Sequence, residues 1–257
     1  MDAKVAKLKA IIKQAGRVAV AFSGGVDSSF LTRVAAAVLP PADLLAVLVS
    51  SCLLPPGELE NARAVAARIG CRLQIHEVDP LAWPEFVANP PDRCYHCKKK
   101  IYRLLGDLLA DQAGMSLMDG TNLDDLDEDR PGRRAVAELG IKTPLVEAGL
   151  RKAEIRQGSR RLQLANWDRP SSSCLATRIP SGVAVTGARL NLVRQSEQYL
   201  HSRGFYGCRV RLAAKAIQLE LAKADVARFA AGANRAAVSR FFRNLGVAKV
   251  YVDIKGR

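Results

Sequence analysis

The chain is short of several things, and each shortage removes a class of protein. No run of about 18 apolar residues occurs in its 257 residues, so no membrane-spanning helix is expected. The opening stretch Met1-Asp-Ala-Lys-Val-Ala-Lys-Leu-Lys9 is charged and reads as a helix, not a signal peptide, which predicts a cytoplasmic location. Acidic side chains are outnumbered, 25 against 39 basic ones, for a formal net charge of +14. That excess suits phosphorylated or polyanionic partners, RNA among them. The lysines and arginines are spread along the chain, however, which fits a solvated basic surface around a nucleotide site equally well. There is no internal repeat or low-complexity tract. What remains is an ordinary globular composition, 49% hydrophobic and 25% charged, long enough for one large domain or a nucleotide domain with a smaller companion.

Two common phosphate loops are missing as well. A Walker A loop needs a lysine after its last glycine, and a dinucleotide fingerprint needs Gly-x-Gly-x-x-Gly; neither is found where the chain most resembles a phosphate site. That place is Val18-Ala-Val-Ala-Phe-Ser-Gly-Gly-Val-Asp-Ser-Ser-Phe30. Residues 18–22 read as a buried strand, and 26–39 as a helix with Val26, Phe30, Val34 and Val38 on one side. A strand, a glycine turn and a helix start gather unpaired backbone N–H groups at the positive end of a helix dipole, a setting for an anion. Two adjacent glycines let the backbone approach it closely. The loop Ser-Gly-Gly-x-Asp-Ser-Ser resembles the pyrophosphate (PP) loop of ATP pyrophosphatases, which cleave ATP between the α- and β-phosphates and adenylate a substrate. The resemblance implies that Ser23, Gly24, Gly25, Ser28 and Ser29 hold the β,γ-phosphates and that Asp27 sits near Mg²⁺.

Strands at 44–49, 72–78 and 116–118 alternate with helices at 58–69 and 95–111, after a first amphipathic helix at 2–15. This predicts an α/β fold with a doubly wound parallel sheet, whose ligands bind beyond the carboxyl ends of the strands. Small polar residues Gly120, Thr121 and Asn122 follow the fourth strand and suggest a second wall of the nucleotide site. Residues 79–93 read as irregular, 127–134 as a charged loop, 133–139 as a short helix, 142–150 as a loop and 151–164 as a basic helix. A long polar segment spans 166–182, a length at which loops are usually functional. Beyond Gly187 a helix (188–203), two strands (207–212 and 217–221), a helix (224–245) possible to break near Gly232, and a strand (249–254) predict a small α+β domain with an antiparallel pair. The expected domains are 1–180 and 181–257.

Six cysteines in such a chain suggest thiols, metal ligands or catalytic groups more than disulfides. Cys94 and Cys97 stand three apart at a helix start, followed by Lys98, Lys99 and Lys100, a setting that favours thiolates. No second Cys-x-x-Cys or histidine pair follows at zinc-finger spacing, and the fold is not thioredoxin-like. Zinc, a plain cysteine pair, or an iron–sulfur cluster completed by distant Cys174 all stay open. Cys52, Cys71 and Cys208 sit in or beside apolar strands and read as small buried hydrophobes.

Taken together, four further stretches resemble one family, the ATP-dependent sulfur transferases (LarE family) of nickel-pincer nucleotide cofactor synthesis. They are Arg93-Cys-Tyr-His-Cys-Lys98, the run from Asp119 to Gly132, Thr143-Pro-Leu-Val-Glu-Ala-Gly-Leu-Arg-Lys152, and Trp167-Asp-Arg-Pro-Ser-Ser-Ser-Cys-Leu-Ala-Thr-Arg178. The resemblance implies that ATP adenylates a carboxylate of pyridinium-3,5-biscarboxylic acid mononucleotide and that sulfur then displaces AMP. It implies Cys174 and Asp27 as catalytic residues and Arg178 as a nucleotide contact. Cys94, Cys97 and Cys174 would hold a 4Fe–4S cluster whose open iron carries sulfide; in the other type known in the family, Cys174 would give up its own sulfur. It further implies a homo-oligomer and a sulfide donor as partners. Arg209 and Arg211 match the family's Arg-Val-Arg-x-His segment and would bind the substrate phosphate, or stand as ordinary strand arginines, although Ala213 replaces the histidine. The rivals are a tRNA thiolation enzyme, a non-catalytic nucleotide or metal sensor, and an amide-forming ATP pyrophosphatase. No separate RNA-binding module is visible, so a nucleic-acid partner is not expected.

Overall fold

The protein is described here by a computed structural model covering residues 1–112, 114–127, 131–214 and 216–257. In chain order it forms α1 (Asp2–Ala15), β1 (Arg17–Ala21), α2 (Val26–Ala36), β2 (Leu44–Ser50), α3 (Glu58–Ile69), β3 (Arg72–Glu77) and α4 (Pro84–Val87). It continues with α5 (Arg93–Ala110), β4 (Met115–Met118), α6 (Pro131–Glu138), α7 (Pro144–Glu147) and α8 (Lys152–Arg161). The last elements are α9 (Gly187–Ser202), β5 (Arg209–Ala213), β6 (Ala216–Glu220), α10 (Val226–Ala230), α11 (Gly232–Asn244) and β7 (Val250–Val252). Residues 128–130, inside the charged loop expected at 127–134 and the run from Asp119 to Gly132, lie outside the described residues.

Two compact units result. The first comprises Met1–Ser51, Gly57–Asp79 and Asp92–Ser171; the second comprises Cys52–Pro56, Pro80–Pro91 and Ser172–Arg257. In the first, four parallel strands run in the order β3-β2-β1-β4, the α/β sheet expected from the alternating elements. Val18, Ala19 and Val20 of β1 are wholly buried, because a central strand covered on both faces needs an unbroken apolar run. On one face Ala19, Leu45 and Val47 pack against Tyr102, Leu105 and Leu109 of α5. The α3 helix ends on Gly70, whose φ of 76° suits its left-handed C-cap and whose N–H closes onto Ala66 and Ala67. Gly158 of α8 meets Phe30 of α2 so closely that an ideal Cβ there would lie 2.6 Å from Phe30 Cε2.

In the second unit β5 and β6 pair antiparallel, as expected, and β7 joins β6 in parallel. Its core gathers Phe205, Val210, Ile217, Leu219 and Phe242. Two local expectations need correction. The 79–93 segment contains a 3-10 turn at Pro80–Ala82 and helix α4, and the 142–150 loop contains α7; in both helices a proline at the first turn supplies a preset φ. The break expected near Gly232 in the C-terminal helix is present, at Ala231, where ψ turns to 126°.

Candidate active site

The order β3-β2-β1-β4 reverses direction at β1, so the chain leaves the ends of β1 and β4 toward opposite sides and opens a crevice between them. After β1, Phe22 N–H is still held by Val47 O at 2.8 Å, and the backbone then turns through Ser23, Gly24 and Gly25 into α2. Gly24 has φ of 71°, and an ideal Cβ on it would lie 2.7 Å from Ala62 Cα. The turn is laced by short-range bonds: Ser23 N–H donates to Ser28 Oγ at 3.2 Å, Gly25 N–H to Ser23 Oγ at 3.3 Å, and Ser28 Oγ to Gly25 O at 3.2 Å.

The opposite wall follows β4. Gly120 lies so close to the loop that an ideal Cβ would stand 3.1 Å from Ser28 N. Asp119 is buried and accepts from Thr121 N–H at 2.7 Å, from the Thr121 and Tyr102 hydroxyls, and from Lys98 Nζ at 3.2 Å. Burial favours the neutral acid, but Lys98, Thr121 and Tyr102 together favour the carboxylate more, so its pKa lies below the ordinary value. Burial and the Asp119 charge push the Tyr102 phenol well above its own. Asn122 N–H donates to Asp125 at 3.0 Å, and its side-chain amide lies 3.5 Å from Asp27 Oδ1. Asp124 accepts from Lys152 N–H at 2.7 Å, which seats the start of α8 on this wall.

That seating delivers Lys152 to Asp27, with which it forms an ion pair. Burial raises the Asp27 carboxyl from its ordinary value, and Lys152 offsets only part of the rise. Between the walls lies a cavity of about 370 Å³ whose polar lining includes Ser23, Gly25, Asp27, Ser28, Lys98 and Thr121, with Val47, Val49 and Ile101 on an apolar side. Bare glycine backbone, hydroxyls and a carboxylate already matched to a cation suit the phosphates of a nucleotide with its metal; the apolar side suits a base.

Cys94 and Cys97 both lie in the first turns of α5, Cys94 exposed and Cys97 half-buried. The buried Arg93 brings its guanidinium 3.6 Å from Cys94 Sγ. Lys98 and Lys99, expected to favour thiolates here, are engaged in ion pairs of their own: Lys98 with Asp119, and Lys99 with Glu138 at 2.8 Å. Of the three cysteines read as buried, Cys208 is, and burial pushes its thiol up to about 12; Cys52 and Cys71 are half-buried, at the ends of strands.

Cys174 belongs to the second unit, half-buried just before a 3-10 turn at Leu175–Arg178. That turn is anchored by Arg178, buried in an ion pair with Glu197 at 2.8 Å and donating to Thr177 Oγ1 at 2.8 Å. Glu197 also accepts from Val210 N–H at 3.1 Å, tying the turn to α9 and β5. Arg211 pairs with Glu220 and donates to Thr177 O at 2.9 Å. Arg209 is lowered to about 10 by burial and by the neighbouring Arg257, Arg178 and Arg211, and its Nε is buried without a hydrogen-bond partner. Among the described residues no three His, Cys, Asp or Glu side chains converge as a metal-holding group.

The NAD synthase family model matches residues 2–86, the span that carries the glycine turn. Over 256 residues the chain is 34% identical to the uncharacterized protein slr1717 of Synechocystis sp., covering 100% of this chain and 95% of that one. It is 33% identical over 253 residues to the pyridinium-3,5-bisthiocarboxylic acid mononucleotide synthase of Lactiplantibacillus plantarum, covering 98% of this chain and 91% of the relative. The chain belongs to this synthase family. A third relative, the uncharacterized protein MJ0830 of Methanocaldococcus jannaschii, is 28% identical over 81% of the chain and 80% of its own length.

In this member of the synthase family, Ser23, Gly24, Gly25, Asp27, Ser28, Ser29, Gly120, Thr121 and Asn122 all fall on the two walls of one crevice or in the α2 turn behind it. Cys94 and Cys97 belong to the same unit, whereas Cys174, Arg178, Arg209 and Arg211 belong to the other. Sequence reasoning gave no role to Lys98, Tyr102 or Lys152 at the crevice. Lys152 closes one of the stretches that carry the family resemblance, which was the available signal; Tyr102 offered none beyond its helical spacing.

Proposed function

We propose that the chain is an ATP-dependent sulfur transferase of pyridinium-3,5-biscarboxylic acid mononucleotide. ATP occupies the crevice, its β,γ-phosphates on the backbone of residues 23–25 and the hydroxyls of Ser23 and Ser28, whereas Ser29, expected to join them, is wholly buried behind the turn and supports it. Asp27 would hold Mg²⁺, which supplies charge to offset what develops on pyrophosphate. Lys152, displaced from Asp27, remains beside the phosphates as a second cation. A substrate carboxylate oxygen attacks the α-phosphorus, the bond to the β-phosphate oxygen breaks, and pyrophosphate leaves. The acyl adenylate carries a good leaving group that the free carboxylate lacks. Arg209 and Arg211 hold the substrate phosphate.

Sulfur then comes from Cys174. Its thiolate adds to the acyl carbon and AMP departs with the C–O electron pair. Loss of the Cys174 Cα proton breaks the Cβ–S bond, leaving dehydroalanine and a thiocarboxylate. The presence of Cys94, Cys97 and Cys174 together in the sequence favours a second reading, a 4Fe–4S cluster with a sulfide donor. The observation that supports the function most is a crevice of the pyrophosphatase kind in a chain matched nearly end to end by the synthase.

The test is to supply ATP, Mg²⁺ and the biscarboxylic mononucleotide, and to follow pyrophosphate and thiocarboxylate by mass spectrometry. Pyrophosphate release that needs the mononucleotide is expected. Release driven by tRNA, with thiolated tRNA as product, would replace this reading with the RNA one. Iron and acid-labile sulfide on anaerobically purified protein separate the sulfur sources. About four irons per chain, lost in Cys94→Ser, marks the cluster; no iron, with Cys174 lighter by one sulfur and two hydrogens after turnover, marks sacrifice of the cysteine.

A further inference from the structure

Nothing steric fixes the peptide between Gly24 and Gly25, since neither residue has a Cβ to resist a flip of its plane. The structure holds it from behind instead. Gly24 O accepts from Asn61 Nδ2 of α3 at 3.1 Å and from Asn166 Nδ2 at 2.8 Å. The same Asn166 amide donates its other hydrogen to Ser29 Oγ at 2.9 Å, so it ties the turn to the first turns of α2. Asn166 is buried, and its Oδ1 has no hydrogen-bond partner. An unmatched buried acceptor is a cost, and here it accompanies a group whose two donors are both in use.

In a planar trans peptide the carbonyl and the following N–H point in opposite directions. Drawing Gly24 O toward Asn61 and Asn166 therefore turns Gly25 N–H the other way, toward the cavity lined by Ser23, Gly25 and Ser28. There it rests on Ser23 Oγ at 3.3 Å, a long bond that an anion can replace. A flipped peptide would aim the carbonyl dipole at the same place and repel phosphate. We propose that Asn61 and Asn166 are positioning residues, a two-amide clamp that fixes the Gly24–Gly25 peptide with its N–H toward the pyrophosphate end of the nucleotide. This rests on the reading of the crevice as an ATP site.

The test uses the full chain with Asn61→Leu, Asn166→Asp and Asn166→Leu. Asn166→Asp keeps size and shape and removes the donor. Calorimetric titration with magnesium pyrophosphate should show affinity about tenfold weaker for each variant, while adenosine binds as in the wild type. A purely structural defect would weaken both ligands. In substrate-dependent pyrophosphate release, KM for ATP should rise more than kcat falls. Asn61 is only half-buried, so Asn61→Leu carries the test if the Asn166 variants do not fold. Wild-type pyrophosphate affinity in folded Asn61→Leu or Asn166→Asp would overturn the clamp alone. A wild-type chain that binds no pyrophosphate would overturn the ATP reading and the clamp with it.

Discussion

Asp27 and Asp119 stand on facing walls of one crevice, yet their surroundings set them to different tasks. Asp27 is raised by burial and matched by a single lysine that a metal can displace; Asp119 is locked by three partners. Asp27→Asn should therefore leave the fold intact and lower pyrophosphate release by about 10²-fold or more, read by a coupled phosphate assay. Activity at the wild-type level would remove Asp27 from the ATP site. Asp119 should matter to stability through pH. Its folded pKa is depressed below 3.8, so its contribution is complete above that pH and drains away as the pH falls through the folded value. Urea midpoints between about pH 2 and 6 should fall more steeply for the wild type than for Asp119→Asn. The Ser-Gly-Gly-x-Asp-Ser-Ser pattern was legible because a strand, turn and helix within thirteen residues build that wall locally. The lock on Asp119 was not, since Lys98 and Tyr102 reach it from α5 through tertiary packing that no short spacing encodes.

At the scale of elements, α2 presents the loop, and its orientation depends on what supports it. Gly158 lets α8 lie directly against Phe30, with room for no more than hydrogen. Gly158→Ala should cost about 1–3 kcal/mol by overpacking, measured by chemical denaturation. If Phe30 is the obstacle, Phe30→Leu combined with Gly158→Ala should cost less than the two single changes added together. Strict additivity would place the damage elsewhere in α8. Helix periods and glycine caps made most elements readable, as at Gly70 after α3. The short α4 and α7 escaped because four residues carry no period, and their prolines argue as well for a loop.

The residues proposed for the two steps fall in different units of the molecule. The crevice is built from the first alone, while Cys174 sits in the second, on a turn anchored by Arg178 and Glu197. Cys174→Ala should therefore stop thiocarboxylate formation while leaving substrate-dependent pyrophosphate release close to the wild-type rate in the first turnover. The adenylate has then formed with no sulfur to displace AMP, so mass spectrometry should find the mononucleotide bearing an added AMP. Arg178 offers a contrast. Removing it leaves Glu197 as an uncompensated buried charge, which costs about 3–5 kcal/mol and should perturb the folding of the second unit as well as sulfur transfer. If Cys174→Ala instead abolishes pyrophosphate release along with thiolation, and melts earlier, the cysteine is structural and the sulfur has another origin. Two separable half-reactions in one chain are the outcome that the division into units leads us to expect.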